Sequence, residues 1–304
     1  MALLRHENRP LGGVVYGDGS REEAQSAHQA RHRCRRGKGG VGKSTVAVLL
    51  AQALAAKGRS VGILDADITG PSVPRLLGLQ GFRGHSDGEK LFPVVNEEGI
   101  KLLSINLFHE DEDAPVIWRG PLLGGAIQQF WTDSDWGDLD FLVVDFPPGT
   151  SDIALTAFQT IPFAGVIIVA TPQDYVSMIV RKSVRMAEML GTPVLGVVEN
   201  MRYLICPKCG EEIVLFDDGN GHSAERLGLP LIVSMPWRRE VAQARSLRWS
   251  ELPEKVKKDA AKMVFVAERV QPPIPVPRVP QEEGCECGKQ SCCESCDTSA
   301  VDAG

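Results

Sequence analysis

Gly37 to Thr45 reads GKGGVGKST, and this stretch decides the fold. It satisfies G-x-x-x-x-G-K-[ST], in which glycines permit a loop whose N–H groups all point inward at phosphate oxygens. Gly37, Lys38, Gly39, Gly40, Val41 and Gly42 form that cradle. Lys43 is placed to contact the β- and γ-phosphates, and the Ser44 hydroxyl to reach a Mg2+ ion, with Thr45 beside it. The helix opening near Ser44 adds the positive end of its dipole. An ATP-binding loop is the reading that follows.

Downstream of the loop, short apolar runs alternate with helical ones. Helix is expected over Ser44 to Lys57, stopped by Gly58, then strand over Val61 to Leu64 closing on Asp65. The pattern continues with strand near Leu102 to Leu107, helix near Leu122 to Trp131, and strand over Phe141 to Val144. Helix near Ile153 to Thr160, strand over Gly165 to Ala170, helix from Tyr175 to Leu190 and strand over Val194 to Val198 complete it. Runs of this kind are parallel strands covered on both faces. The fold class is therefore α/β, a doubly wound, mostly parallel sheet with its ligands at the carboxyl ends of the strands. After Pro236, Val256, Ala260, Met263, Val264 and Ala267 mark one apolar helical stripe.

The domain organisation has four parts: an irregular lead over 1–36, an ATPase domain over 37–270, a proline-rich linker over 271–284 and a cysteine-rich tail over 285–304. At 304 residues, 43% hydrophobic and 24% charged, the chain has the composition of an ordinary globular protein. Its longest apolar stretch, Phe163 to Ala170, is too short to span a bilayer, and MALLRHENRPLGG shows no apolar run after its charges. A cytoplasmic location with no membrane partner is expected. A net charge of −6 argues against nucleic acid as the main partner. The six histidines are read as structural or surface residues.

Asp65 and Asp67 end one strand and Asp145 ends another. Carboxylates there hold Mg2+ or orient the attacking water, because phosphoryl transfer is mostly positioning and charge stabilisation. Asp145 reads as metal-shell and Asp67 as catalytic; Asp65 fits a turn or cap equally well. Cys206 and Cys209 form C-P-K-C-G and can chelate a metal edge-on. Two thiolates are half of what zinc or a [4Fe–4S] cluster usually takes, and a redox pair has the same spacing. The tail cysteines Cys285, Cys287, Cys292, Cys293 and Cys296 suggest metal capture of some kind.

GKGGVGKST, DADITGPSVPRLLG, WRGP, WGDLDFLVVDFPPGTSD, ATPQD, PVLGVVENM and CPKCG occur in one order from Gly37 to about Val270. The set resembles the Mrp/ApbC-type P-loop ATPases, relatives of MinD, ParA and the nitrogenase iron protein. The resemblance implies the deviant Walker A class, in which Lys38 acts across a dimer interface on the partner's nucleotide. It further implies that Asp67 is the switch I aspartate, Asp145 the Walker B aspartate near Mg2+, and Asn200 an adenine contact. Catalysis then rests on Lys38, Lys43 and Asp67. By the same resemblance, Cys206 and Cys209 of two subunits are expected to bridge a [4Fe–4S] cluster that a homodimer delivers to apoprotein clients. Trp118 to Pro121 match the family in a structural role. The rival is a MinD- or ParA-like positioning ATPase without a cluster, for which the basic helix Lys255 to Lys262 speaks. A third reading is an inactive scaffold.

The departure from the family lies upstream, where an apolar strand should precede the loop. Arg31 to Arg36, RHRCRR, cannot form a buried central strand, since an unpaired buried charge costs several kcal/mol. With CGN arginine codons, His32 to Arg35 read one base later decode as Thr or Ile, then Val or Ala among few choices, then Ala or Val. A shifted reading frame over this strand is the expectation, with Cys34 its by-product. Peptide mass mapping of the protein checks it: RHRCRR recovered intact overturns the frameshift and favours the scaffold.

Overall fold

The computed structural model describes residues 2–4, 12–17, 40–67, 70–108, 120–147, 149, 151–172, 176–215 and 223–270. Strands β1 (Ala2–Leu4) and β2 (Gly12–Gly17) come first, then helix α1 (Lys43–Ala55), β3 (Val61–Asp65) and the short α2 (Val73–Leu76). Next are β4 (His85–Ser86), β5 (Leu91–Phe92), β6 (Val94–Val95), β7 (Lys101–Ser104), α3 (Gly120–Thr132), β8 (Phe141–Asp145) and α4 (Asp152–Thr160). β9 (Gly165–Ala170), α5 (Val176–Met189), β10 (Val194–Ile205), β11 (Glu212–Val214), α6 (Ser223–Leu227), β12 (Leu231–Trp237), α7 (Arg239–Ala242) and α8 (Glu254–Ala267) follow.

The central strands β3, β8 and β9 are buried at every position, which is why their sequences are unbroken apolar runs rather than alternating ones. A parallel series β7–β3–β8–β2–β9–β10–β12 results, with β6 antiparallel on β7, β11 antiparallel on β10, and the short β1 set antiparallel against β2, β8 and β9. Helices cover both faces. On one, α1 is buried from Val46 to Leu54, and α8 lays Val256, Ala260, Met263, Val264 and Ala267 into the same core. On the other, Ile127, Phe130, Ala154, Ala157, Val180 and Val184 of α3, α4 and α5 pack on Leu142, Val144, Val166 and Ile168. The doubly wound sheet read from the sequence is the observed architecture.

Three expectations are corrected. The stretch near Leu102 to Leu107 is strand only to Ser104 and continues as a 3-10 turn over Ile105–Phe108. The strand from Val194 runs past Val198 to Ile205. The lead, read as irregular, contains β1 and β2, and β2 lies parallel between β8 and β9 in the middle of the sheet. Its register pairs Gly13 with Gly165 through to Gly17 with Val169, and Gly12 with Leu142. A central slot flanked by two buried strands leaves unpaired N–H and C=O groups on both sides unless some strand fills it. Residues 12–17, GGVVYG, do so here. The segment 31–36, the linker and the cysteine-rich tail lie outside the described residues.

Candidate functional site

The carboxyl ends of β3, β8, β2 and β10 converge on one edge of the sheet, and the phosphate loop lies there. Gly42 N-caps α1 in the left-handed region, φ 82°, ψ 30°. Its missing side chain matters twice, because a Cβ at that position would overlap the Asn200 amide nitrogen. Lys43, at the first helical position, is 8% exposed, and Ser44 and Thr45 follow it at the rim of a cleft of about 670 Å3. From the loop that cleft runs over Asp67 to Met235, Trp237 and Arg238. Unsatisfied N–H groups of a helix N-terminus and a lysine facing one cavity make an anion site for the phosphates of a nucleotide.

Beneath the loop lie two carboxylates. β3 and β8 pair with Asp65 opposite Asp145, so both are fully buried side by side. Asp65 accepts from the Ser104 hydroxyl (3.2 Å) and the Asp67 N–H (3.2 Å). Burial, with the charges of Asp145 and Asp67, nevertheless holds its carboxyl well above the usual range. Asp145 is raised too, chiefly by burial, against the lowering pull of the Lys43 charge and the nearby Ser44 hydroxyl. Among the described residues neither Asp145 oxygen has a hydrogen-bond partner. A buried, unpartnered carboxylate beside a hydroxyl is a hard oxygen donor set of the kind Mg2+ takes, so the residues present fit that ion. Phe146, stacked on Phe158 and edge-on to Phe163, anchors the strand end that carries Asp145.

β10 brings two further groups. Asn200 donates from Nδ2 to the Val41 carbonyl at 2.9 Å, and its Oδ1 accepts from the Met201 N–H at 3.0 Å. The residue implied as an adenine contact thus holds the phosphate loop here. Beyond it the ladder to β12 is interrupted, and Met201 has φ 58°. The strand then resumes and ends at Ile205, just before Cys206. The Cys206 N–H donates to Glu211 O (2.8 Å), Gly210 N–H donates to Cys206 O (2.9 Å), and Gly210 takes φ 76°, closing a tight turn into β11. Cys206 is partly exposed and Cys209 exposed, both as free thiols. N–H groups of Cys209 and Lys208, and the Cys209 thiol, aim at the Cys206 sulfur and hold its pKa below the usual thiol value. A turn that stabilises a thiolate is prepared for a metal.

Asp67, Lys43, Ser44, Thr45, Gly40, Val41, Gly42, Asp145 and Asn200 are thereby brought to one site, with Cys206 and Cys209 on the hairpin that continues from it. Gly37, Lys38 and Gly39, and Trp118 and Arg119, lie outside the described residues. Sequence reasoning left Asp65 open and missed Met201. Only the strand register, which sets Asp65 against Asp145, gives the former a place in the site.

A match to the ParA family, described as NUBPL iron-transfer P-loop NTPase, spans residues 33–270. The iron-sulfur cluster carrier protein of Clostridium perfringens is 51% identical over 216 residues, covering 68% of this chain and 76% of that protein. A nucleotide-binding protein of Archaeoglobus fulgidus, solved in complex with ADP, superposes with a TM-score of 0.59 at 35% identity, over 86% of this chain and 90% of that one. The septum site-determining protein MinD of Pyrococcus horikoshii, complexed with Mg-ADP, shares the fold: TM-score 0.55 at 19% identity, over 85% and 96% of the two chains.

Lys43→Ala is expected to abolish ATP binding, and Asp67→Ala to leave binding while removing turnover; isothermal titration and phosphate release measure the two. The raised carboxylates set a pH dependence of opposite sign to an ion-paired acid. Above their ordinary value of 3.8 the folded state holds protons that the unfolded state has lost. Stability therefore falls as pH rises through the window up to the raised values. Thermal melts without Mg2+ from acid to neutral pH should show this decline, and Asp145→Asn should flatten it.

Proposed function

Because this chain belongs to the ParA-type family of NUBPL iron-transfer P-loop NTPases, we propose that it is an ATP-hydrolysing carrier. It assembles a [4Fe–4S] cluster between two copies of itself and delivers that cluster to apoprotein clients. The observation that carries this reading is the thiol turn. Cys206, partly exposed, and Cys209, exposed, stand just past the end of the strand whose Asn200 holds the phosphate loop. The cluster is cargo, bound by a loop at the surface rather than in a closed cage.

Lys43 and the N-terminus of α1 bind the phosphate chain. Asp67 faces the same cleft and orients the attacking water. Mg2+, held by Asp145 with Ser44, would neutralise charge developing on the phosphates. Lys38 of one copy completes the site of the other. At the thiol turn, one chain offers two thiolates where a cubane cluster takes four. Among the described residues no group of three or more His, Cys, Asp and Glu side chains could hold a metal. The least demanding completion is the same pair from a twofold-related copy. Among the described residues no helix is long and apolar enough to cross a membrane. The proposed setting is the cytoplasm, with neither membrane nor nucleic acid as partner.

The positioning-ATPase alternative is less well supported. The basic helix that favoured it, α8, spends its apolar stripe on the core against α1. Lys255 and Lys262 each lie 3.7 Å from the buried Asp259 on their own helix. Outside that stripe the helix exposes one large apolar side chain, Phe265, with the Arg269 guanidinium over its ring, which is little apolar face for a lipid surface.

Anaerobic reconstitution of the intact chain, of the Cys206→Ala, Cys209→Ala variant and of a chain ending at Val270 tests the assignment. The double variant should lose most of the visible charge-transfer absorption of thiolate-bound iron, and the shortened chain should keep a transferable cluster and its dimeric state. Loss in the shortened chain alone would assign the cluster to the tail.

A further inference from the structure

Between the phosphate loop and the thiol turn, β10 leaves its ladder with β12. Glu199 pairs with Ser234 and Tyr203 with Pro236, so Asn200, Met201 and Arg202 stand opposite Met235 alone. The bulge holds two residues more than its partner strand. Met201 closes it in the left-handed region at φ 58°, and among the described residues it is the one non-glycine with positive φ. A side chain with no local hydrogen bond to favour that conformation occupies it only where its surroundings over-determine it.

Those surroundings are visible. On one side, Asn200 reaches Val41 across 159 residues of sequence, and Gly42 leaves room for its amide. On the other, the Leu215 N–H donates to Arg202 O at 3.1 Å, so the same bulge is tied to β11, the return strand of the cysteine turn. Arg202 also lies 3.4 Å from the buried Glu199. The three bulged residues are thus fastened to the phosphate loop at one end and to the thiol hairpin at the other.

Two extra residues have a special property. Side chains alternate with period two, so a bulge of two can flatten without turning the residues beyond it to the opposite face. Cys206 would keep its orientation and move only along the strand, by up to roughly 6.5 Å for full flattening at about 3.3 Å per residue.

We propose that Met201 is a positioning residue: its left-handed conformation stores the bulge while Asn200 is bonded to the loop, and nucleotide entry, by taking Asn200 from Val41, flattens the bulge and advances the cysteine turn. The proposal rests on the carrier reading for the meaning of the movement. Its test does not require a cluster.

Cluster-free protein is alkylated with iodoacetamide, with and without a slowly hydrolysed Mg-ATP analogue, and the peptide carrying Cys206 and Cys209 is quantified by mass. Nucleotide should change the alkylation rate of the wild-type protein by about threefold or more. Met201→Asn, which tolerates the left-handed region, should keep that response. Met201→Val, β-branched and extended, should show without nucleotide the rate that the wild type shows with it, and should respond no further. Met201→Gly, free to take either form, should respond less than the wild type, and serves if the valine variant does not fold. Equal responses in all variants overturn the proposal. So does nucleotide binding with no change at the thiols, which leaves the carrier reading standing. An intact thiol response in a protein that reconstitutes no cluster supports the proposal and removes the carrier reading instead.

Discussion

Two carboxylates buried side by side govern this structure. An ionised pair of like charge in a low-dielectric interior is costly without a cation to answer it. Asp65 is supplied with a hydroxyl and an N–H, but among the described residues Asp145 has no hydrogen-bond partner and Lys43 is a positive charge that acts on it. The phosphate loop, the first turn of α1 and the strand ends β3 and β8 are all placed by this electrostatic debt. A cation and a polyphosphate entering together would complete the charge pattern, which is how a binding site can be written into a fold as an unsatisfied interior.

The second organising feature is the continuity of β10. One strand passes through the core beside β9, gives up Asn200 to the phosphate loop, breaks its ladder at Met201, and emerges as the arm of the cysteine turn. Asn200 at the phosphate loop and Cys206 at the thiol turn are six positions apart along one strand and the turn it leads into, rather than across a domain interface. Packed strands transmit displacement well because interiors deform little, and a bulge concentrates what deformation there is.

How much of this could be read in the sequence follows from what kind of signal each part leaves. Runs such as FLVVD and GVIIVA announce buried parallel strands, and α8 shows its stripe by spacing alone. The loop lysine and the strand-end aspartates could be placed beside one cleft because residue types and strand ends together mark such positions, and the CPKCG pair could be singled out by its spacing. The place of Asp65 was not, because it depends on which strand lies beside β3, a tertiary fact. The length of β10 was hidden by Asn200, Met201 and Arg202, which interrupt its apolar run where the chain bulges. Methionine carries no turn signal, so its left-handed backbone leaves no trace in composition. The two N-terminal strands escaped for a related reason: GGVVYG is too short and glycine-rich to stand out, and only the open slot between β8 and β9 gives it meaning.

That slot has a consequence for how the protein comes into being. Its occupant is drawn from residues 12–17, yet the strands on either side are made of residues 141–145 and 165–170. During synthesis the first strand emerges well over a hundred residues before its second neighbour exists, and contacts of such long sequence separation form slowly. Until β9 is made, β8 offers β1 and β2 only one of the two strands between which they finally lie. The nascent chain therefore passes through a long interval with its most apolar strands unzipped, the condition under which intermediates stick to one another or to a chaperone.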